Sequence, residues 1–360
     1  MMSSSTHSSS DSSSHSGSSY LDSSHSDSLL QLENIIEEHS KDTLSYSADA
    51  LLHLVDAPSS PFCENTQLHM PPQNRSAGRD VHIFDIHNRS TSIGGLILTA
   101  SITNANLYSM IQIIVFFDGE YILRNESGII IERDDSLLLR GNYYIDSPHP
   151  FVVNNEAVLV RTVSSSHSGP RVHAFRDAVR LRDGRCIITG VVALGAQYDN
   201  WRSFEAAHIF PLAYEEHWRN NDYARWISLS PNVGGSINSV QNGLLLRSNM
   251  HDLFDSHEFS INPDDSYKIV HFSFDYDGIA GKHLDQRFLD DPQRPPDELF
   301  RWHFRQAVLA NMRGAGEPRF EHDFPPRSDI VGSILEGPKA AERMEFELFN
   351  RWATEVDLTQ

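Results

Sequence analysis

The chain has 360 residues, with 29 Lys and Arg against 49 Asp and Glu, a formal net charge of −20 and two cysteines. This length allows two or three domains, while two cysteines are too few for a disulfide framework or a four-cysteine zinc site. The apolar runs fall short of the roughly 20 residues that cross a bilayer, and no apolar signal-peptide region is present. We therefore expect an intracellular protein, nuclear or cytoplasmic, without a membrane partner.

The first 79 residues predict a tail and a linker. Residues 1–28 are rich in serine, with interspersed His, Asp and Gly, and cannot bury enough apolar area to offset the entropy of the chain. They predict a disordered tail. Residues 29–79 contain two short apolar sets followed by several prolines, which predicts short helices and a linker. These helices either rest on the body of the protein or dock on a partner protein.

Residues 80–163 predict a β-rich domain of unknown role. The apolar runs are short, rich in β-branched and aromatic residues and separated by turn signals, as is typical of a small antiparallel sheet. The predicted strands are Val81–Ile86, Gly95–Ser101, Tyr121–Arg124, Gly128–Arg133, Tyr143–Ile145 and Ala157–Val163, with a helix at Ala105–Phe116. The domain has no phosphate loop, nucleophile elbow or metal-spaced His or Cys pair.

Residues 170–260 form the most patterned part of the chain. Five arginines and two aspartates occur between residues 171 and 185, which favours either a contact with a polyanion or a solvated helix face. The predicted elements are a helix at His173–Arg182, strands at Phe204–Phe210 and Asn242–Leu246, and a helix capped by Ser248 or Asn249 that ends at His257. The order after the first helix is therefore strand, long loop, strand, helix.

Four motifs occur in order on these elements. They are C-x-x-T-G at Cys186–Gly190, A-A-H-I-x-P at Ala206–Pro211, N-G-L-x-L at Asn242–Leu246 and H-x-x-F-D at His251–Asp255. This arrangement resembles the HNH, or ββα-metal, endonuclease family, in the version found in fungal proteins that carry such a domain between a β-rich region and a helical one. The resemblance implies an α+β fold, with a ββα-metal core flanked by the β-rich domain and C-terminal helices.

The residue types also fit the chemistry of phosphodiester cleavage. That reaction needs an activated water, a cation on the phosphate and stabilisation of the leaving oxygen. His208, at a strand end, can accept a proton near neutral pH, and His251 and Asp255, four apart on a helix, can share one divalent cation. By resemblance, the Asn242 amide holds the loop and the base in place, although a hairpin-like Asn-Gly turn is the alternative. We expect a metal-dependent endonuclease acting on DNA, or else on RNA.

One position departs from the family pattern. Many members place an acidic metal ligand directly before the catalytic histidine, where this chain has Ala207. Either Glu205, two residues earlier on the same side of the strand, serves as a ligand, or His251 and Asp255 are the only protein ligands. The sequence then predicts weak binding of Mg²⁺ or Mn²⁺, whereas tight Zn²⁺ binding requires a further ligand. An inactive nucleic-acid or protein binding module and a toxin or defence effector nuclease are the alternative functions.

Residues 261–360 predict a strand hairpin and a helical extension. A turn at Asn262–Asp265 separates strand-like Phe259–Ile261 from Tyr267–Phe272, and helices are predicted from Pro295-Pro296-Asp297 to Asn311 and over Ala340–Trp352. His283 and His303 are expected to be packed or solvated rather than ligands. These helices either cover the nuclease core or form a surface for a protein partner.

Overall fold

A computed structural model describes residues 75–159, 170–231 and 234–317, together with residues 331 and 344. The predicted tail, linker helices and, apart from Met344, the predicted helix at 340–352 lie outside the described residues. Within the described parts, none of the helices is both long enough and apolar enough to span a bilayer. The helices and strands of this part confirm the α+β fold class.

The first part of the described chain is a mixed sheet with one helix. Its elements are β1 (Val81–Asp85), β2 (Asn88–Leu96), α1 (Asn104–Ile114), β3 (Val115–Phe117), β4 (Ile122–Asn125), β5 (Ile130–Ile131), β6 (Gly141–Asp146) and β7 (Phe151–Val153). The sheet order is β2-β1-β6-β4-β5, and β3 pairs with β7 separately. Strands β1 and β6 are parallel, so the expected purely antiparallel sheet is wrong. The long connection that contains α1 makes the parallel pair feasible.

The predicted strand at Gly95–Ser101 is displaced, because β2 begins at Asn88 and ends at Leu96. The first five residues of β2 are exposed and polar, so they look like a turn in the sequence. Gly94 is required by packing rather than by backbone conformation, since a Cβ there would lie 2.2 Å from the carbonyl oxygen of Met312. The predicted strand at 157–163 is also wrong over residues 157–159, which have no regular structure.

The second part holds the segment that carried the four motifs. Its elements are α2 (Pro170–Asp183), β8 (Phe204–His208), α3 (Glu215–Asn220), β9 (Gly243–Arg247), α4 (Ser248–Asp255), β10 (Phe259–Asn262), β11 (Lys268–His271), α5 (Gln286–Leu289) and α6 (Asp297–Met312). Strands β8 and β9 form one antiparallel hairpin, and β10 and β11 form another. The long irregular connection between β8 and β9 includes α3 and several short 3₁₀ turns.

Two hydrophobic cores meet along α6. The first core contains α1, the five-stranded sheet and the C-terminal half of α6, with Phe304, Val308 and Met312 buried. The second core contains the β8–β9 hairpin, α4, β10 and the N-terminal half of α6, with Leu299 and Phe300 buried. Burial of long apolar side chains on both halves of one helix therefore joins the β-rich part to the part that carries the motifs.

Candidate active site

The β8–β9 hairpin has two different faces, and the predicted site residues divide between them. Ala207 lies opposite Leu244 and His208 lies opposite Gly243 in the antiparallel register. Because side chains alternate across a strand, Glu205 and Ala207 lie on one face of β8 and His208 lies on the other. The first face packs against α4 and the second against α2, so we call them the α4 face and the α2 face.

Three predicted metal-site residues contact one another on the α4 face. His251 Nδ1 lies 2.6 Å from Glu205 Oε2, and His251 Nε2 lies 3.2 Å from Asp255 Oδ2. The Ser248 hydroxyl donates a hydrogen bond to Glu205 Oε1 at 2.7 Å. The side chains of His251 and Asp255 are 11% and 13% exposed, whereas that of Glu205 is 49% exposed. The cluster therefore lies at the surface, with Glu205 on its solvent side.

The predicted cap of α4 is wrong. The helix begins at Ser248, and Arg247 holds the N-cap position with an extended backbone and without a capping hydrogen bond from its side chain. The chain passes directly from β9 into α4, so the Ser248 backbone N–H completes the hairpin by donating to the carbonyl of Ser203 at 3.1 Å. The Ser248 hydroxyl is consequently used on Glu205 and not as a cap.

The His251–Asp255 pair fits a shared divalent cation. Two donor atoms that bind one small cation at right angles, each about 2.1 Å away, lie about 3 Å apart. His251 Nε2 and Asp255 Oδ2 are 3.2 Å apart. No group of three or more His, Cys, Asp and Glu side chains forms a metal site in the part of the chain that the structure describes. The donor set therefore fits a site with two protein ligands and open positions for water and phosphate.

His208 lies on the α2 face, where it is the last residue of β8. The residue is 8% exposed, and its ring stacks on Phe175 of α2 with centroids 3.8 Å apart and planes inclined by 10°. Its cross-strand neighbour Gly243 makes room for this stack, because a Cβ at Gly243 would lie 2.6 Å from Phe175 Cζ. His208 and the His251–Asp255 pair thus lie on opposite faces of the hairpin.

Asn242 is fully buried and holds the loop that follows His208. Its Oδ1 accepts a hydrogen bond from the Phe210 backbone N–H at 2.8 Å. Its Nδ2 donates to the carbonyls of Ile237 at 2.8 Å and Phe210 at 3.1 Å. The backbone N–H of Ile209 also donates to the carbonyl of Asn242 at 2.9 Å. The amide is therefore satisfied by backbone groups on both sides of the loop and sets the path of the chain just after His208.

A buried ion pair fastens the end of α2 to β9. The side chains of Arg182 and Asp183 are 1% and 0% exposed, and Arg182 Nε lies 2.5 Å from Asp183 Oδ1. Asp183 Oδ2 accepts the Leu245 backbone N–H at 2.8 Å, and Arg182 donates to the carbonyl of Gly243 at 2.7 Å. Burial raises the pKa of Asp183 despite these contacts. Because such a pair is costly to break, it holds α2 in one position against the hairpin.

Most arginines of α2 form ion pairs or ring contacts within the protein. Arg182 belongs to the buried pair, and Arg176 lies 2.9 Å from the carboxylate of Asp177. The guanidinium of Arg180 lies 4.8 Å from the centre of the Trp201 ring, and burial lowers the pKa of Arg180. These three side chains do not form a strongly positive patch. Of the two alternatives for this helix, the polyanion contact therefore receives little support from them.

Two other histidines lie in the core beside α4. The ring of His303 stacks on Phe254 with centroids 3.7 Å apart and planes inclined by 3°. Its Nδ1 lies 2.7 Å from the Ser260 hydroxyl, and its Nε2 donates to the Phe254 carbonyl at 3.2 Å. Burial lowers the pKa of His303 well below its usual value, and burial together with the nearby Arg75 lowers the pKa of His257 to about 4. Both histidines are neutral core residues near pH 7.

Two segments of the chain match known families. One match covers residues 186–262, the segment with all five predicted site residues. Its family is HNH endonuclease. The HNH match supports a nuclease-type function, and a domain of this type implies a nucleic-acid substrate and a divalent metal. Residues 78–152, in the β-rich part, match a domain of unknown function (DUF8573). No curated protein and no solved structure matches the chain significantly.

Two residues that contact the predicted site were not identified from the sequence. The sequence predicts Ser248 as a cap, and Phe175 lies in α2, outside the segment matched by the HNH endonuclease family. A partial signal for Phe175 exists, because Phe175 and Val179 are four apart and mark the buried side of the helix. The pattern of one helix, however, does not show which strand that side covers.

Proposed function

We propose that the chain is a metal-dependent endonuclease that hydrolyses phosphodiester bonds of DNA, with RNA as the second substrate class. The observation that carries the proposal is the His251–Asp255 pair, 3.2 Å apart on α4 within the HNH match. In this proposal, His208 is the general base, the pair binds Mg²⁺ or Mn²⁺, and Asn242 holds the loop after the base. Nitrogen and oxygen donors with open positions suit these ions.

The division of the site between two faces suits an in-line displacement. In such a reaction the attacking and leaving oxygens lie on opposite sides of phosphorus. A ring nitrogen of His208 takes a proton from water, and the water oxygen forms a bond to phosphorus while the bond to the 3′ oxygen breaks. The 3′ oxygen leaves with the electron pair and is protonated by solvent. A divalent ion, when bound, supplies positive charge that stabilises the phosphate oxygens.

The outer edge of β8 is where a phosphate would meet both faces. Among the described strands, β8 pairs with β9 alone. The hydrogen-bonded positions of β8 alternate with positions whose backbone groups point away from β9, and His208 belongs to the second set. A phosphate at this edge would have His208 on one side and the His251–Asp255 pair on the other.

Glu205 is proposed to act through His251. Its Oε2 lies 2.6 Å from His251 Nδ1, and its Oε1 accepts the Ser248 hydroxyl, so both carboxylate oxygens are engaged within the protein. A carboxylate at Nδ1 keeps the proton on that nitrogen and leaves the Nε2 lone pair for a cation. We therefore assign Glu205 a positioning role in place of direct metal ligation, which was one of the two alternatives that the sequence left open.

A binding module without turnover is the second candidate, and Ala207 is the observation that favours it. Ala207 is fully buried in the apolar core, so the position directly before His208 supplies no ligand. The net charge of −20 also opposes association with a phosphate backbone. A module of this kind would bind its partner equally well with and without His208.

Plasmid nicking separates the two candidates. The purified chain is incubated with supercoiled plasmid, and in parallel with RNA, in Mg²⁺, Mn²⁺ or Zn²⁺, with a chelator control. We expect nicking in Mg²⁺ or Mn²⁺ that is lost with chelator and in His208→Ala. His283→Ala, which changes an exposed histidine outside the site, should retain activity. Binding of plasmid without nicking, equal in wild type and His208→Ala, would support the binding module.

A further inference from the structure

We infer that Phe175 is a positioning residue for His208, supplied by a helix outside the segment that matches the HNH endonuclease family. The inference rests on the proposed function, because it concerns the base of that reaction. Phe175 is 2% exposed, and its ring lies parallel to the imidazole at a centroid distance of 3.8 Å. A flat ring this close to one face of the imidazole restricts rotation of the His208 side chain to orientations that keep the two planes parallel.

Independent features hold the Phe175 ring in place. The buried Arg182–Asp183 pair fastens α2 to β9, and Val179, one turn beyond Phe175, packs in the same small apolar cluster. Gly243 lies opposite His208, and a Cβ there would lie 2.6 Å from Phe175 Cζ. The stack therefore depends on a glycine in the N-G-L-x-L motif and on an aromatic residue about 70 positions earlier in the chain.

The face of Phe175 also stabilises positive charge that develops on the base during the reaction. The face of a phenyl ring is electron-rich and attracts a cation that lies over it, more strongly where water is excluded. When His208 takes a proton from water, the positive charge develops against this face. The interaction therefore strengthens as the reaction proceeds, and its loss should lower kcat rather than raise KM.

Phe175→Leu tests the inference, and Phe272→Leu is the matched control. Phe272 is also a buried phenylalanine, 4% exposed, but it packs in the other core, against Phe304. The measurements are kcat and KM for nicking in Mn²⁺, the calorimetric Mn²⁺ affinity, and the NMR shifts of the His208 ring protons, assigned with His208→Ala. Each variant is first checked for cooperative unfolding.

In wild type and Phe272→Leu, we expect the His208 ring protons to be shifted upfield by the ring current of Phe175. In Phe175→Leu that shift should disappear and kcat should fall about tenfold, equivalent to about 1.4 kcal/mol. KM and Mn²⁺ affinity should match those of the control. Phe175→Met, whose unbranched side chain fills the same slot, replaces Phe175→Leu if the leucine variant does not fold.

The outcomes separate this inference from the proposed function. An active wild type with equal kcat in Phe175→Leu and Phe272→Leu would overturn the positioning role alone. Absence of the upfield shift in wild type would overturn the stack itself. A folded wild type that binds Mn²⁺ but does not cleave any of the tested nucleic acids would overturn the proposed function, and the positioning role with it.

Discussion

The chain contains two histidine–phenylalanine stacks with nearly the same ring geometry in different surroundings. His208 and Phe175 lie 3.8 Å apart with planes inclined by 10°, and His303 and Phe254 lie 3.7 Å apart with planes inclined by 3°. The ring nitrogens of His303 lie at hydrogen-bond distance from Ser260 and from a carbonyl in the core. His208 instead ends an edge strand, next to the loop that Asn242 holds.

The comparison shows that a stacked ring does not by itself mark a catalytic histidine. His303 is enclosed on all sides, so burial holds its pKa well below the usual value and keeps it neutral. A group in that position cannot exchange a proton with water during each turnover. The proposed role of His208 therefore depends on its place at the end of β8.

Removing the imidazole of His208 and that of His303 should have opposite effects on nicking and on stability. We expect His208→Ala to lower nicking about a thousandfold, because general-base catalysis contributes on the order of 10²–10⁴ in rate, while the free energy of unfolding falls by only about 1 kcal/mol. Nicking rates and urea unfolding measure the two quantities.

His303→Ala should instead lower the free energy of unfolding by about 3 kcal/mol, because it removes a buried ring and leaves a cavity and unpaired polar groups. Nicking per folded molecule should change far less than in His208→Ala. The contrast would be contradicted if both variants lost cooperative unfolding, since His208 would then also be a core residue.

Acid should destabilise the fold because His303 and His257 are buried in the neutral form. His303 and His257 have folded pKa values below the unfolded value, and that of His257 is about 4 against an ordinary 6.5. Their contribution to the free energy of unfolding is complete above pH 6.5 and is lost as the pH falls toward 4. The reason is that the unfolded chain takes up protons at a higher pH than the folded chain. A shift of this size for His257 alone corresponds to about 3 kcal/mol.

Urea unfolding at pH 7.0, 5.5 and 4.5 measures this effect. His303→Gln cannot ionise in this range, so its difference from wild type should shrink as the pH falls. A difference that stays constant across the range would show that His303 remains neutral in both states or charged in both.

The sequence predicts the elements that carry the two stacks but not the contacts between the stacked rings. The motifs predicted the hairpin, α4 and the spacing of His251 and Asp255, because period-2 and period-3.6 patterns and a four-residue offset are local properties. The partners of His208 and His303 are not local. Phe175 belongs to a helix whose buried side is evident, whereas the strand that it covers depends on the tertiary arrangement.

The errors in the β-rich part have the same origin. The exposed polar start of β2 lacks the alternation that marks a half-buried strand, so its true beginning at Asn88 was missed. The parallel pairing of β1 and β6 depends on a connection through α1 and is not encoded in either strand. The Ser248 hydroxyl has a suitable position for a cap, but it instead donates a hydrogen bond to the Glu205 carboxylate on β8.

The α4 face offers a third histidine for the comparison. His251, like His303, has partners at both ring nitrogens, but these are the carboxylates of Glu205 and Asp255. We expect Glu205→Gln to weaken Mn²⁺ binding 10- to 100-fold, because it removes the charge that directs Nε2 toward a cation. Titration calorimetry of this variant measures the change, with exposed Glu216→Gln as the control.

Tight Zn²⁺ binding by wild type that is abolished in Glu205→Gln would instead make Glu205 a direct third ligand. Equal Mn²⁺ affinity in wild type and Glu205→Gln would contradict both roles of Glu205. In either case His251→Ala should remove the divalent-ion stabilisation of the fold, since it deletes one of the proposed protein ligands.

The last prediction concerns Gly243→Ala, which adds a single methyl group. The backbone of Gly243 has φ of −135°, which any residue adopts, so the penalty is steric: the new Cβ would lie 2.6 Å from Phe175 Cζ and from Val179 Cγ2. We expect overpacking to cost about 1–3 kcal/mol of unfolding free energy and the displaced Phe175 ring to leave the face of His208.

Combining Gly243→Ala with Val179→Ala frees space on one side of the new methyl group. The double variant should therefore be less destabilised than the sum of the single variants, and part of the lost nicking should return. Strictly additive losses of stability would mean that Gly243 and α2 do not compete for this space.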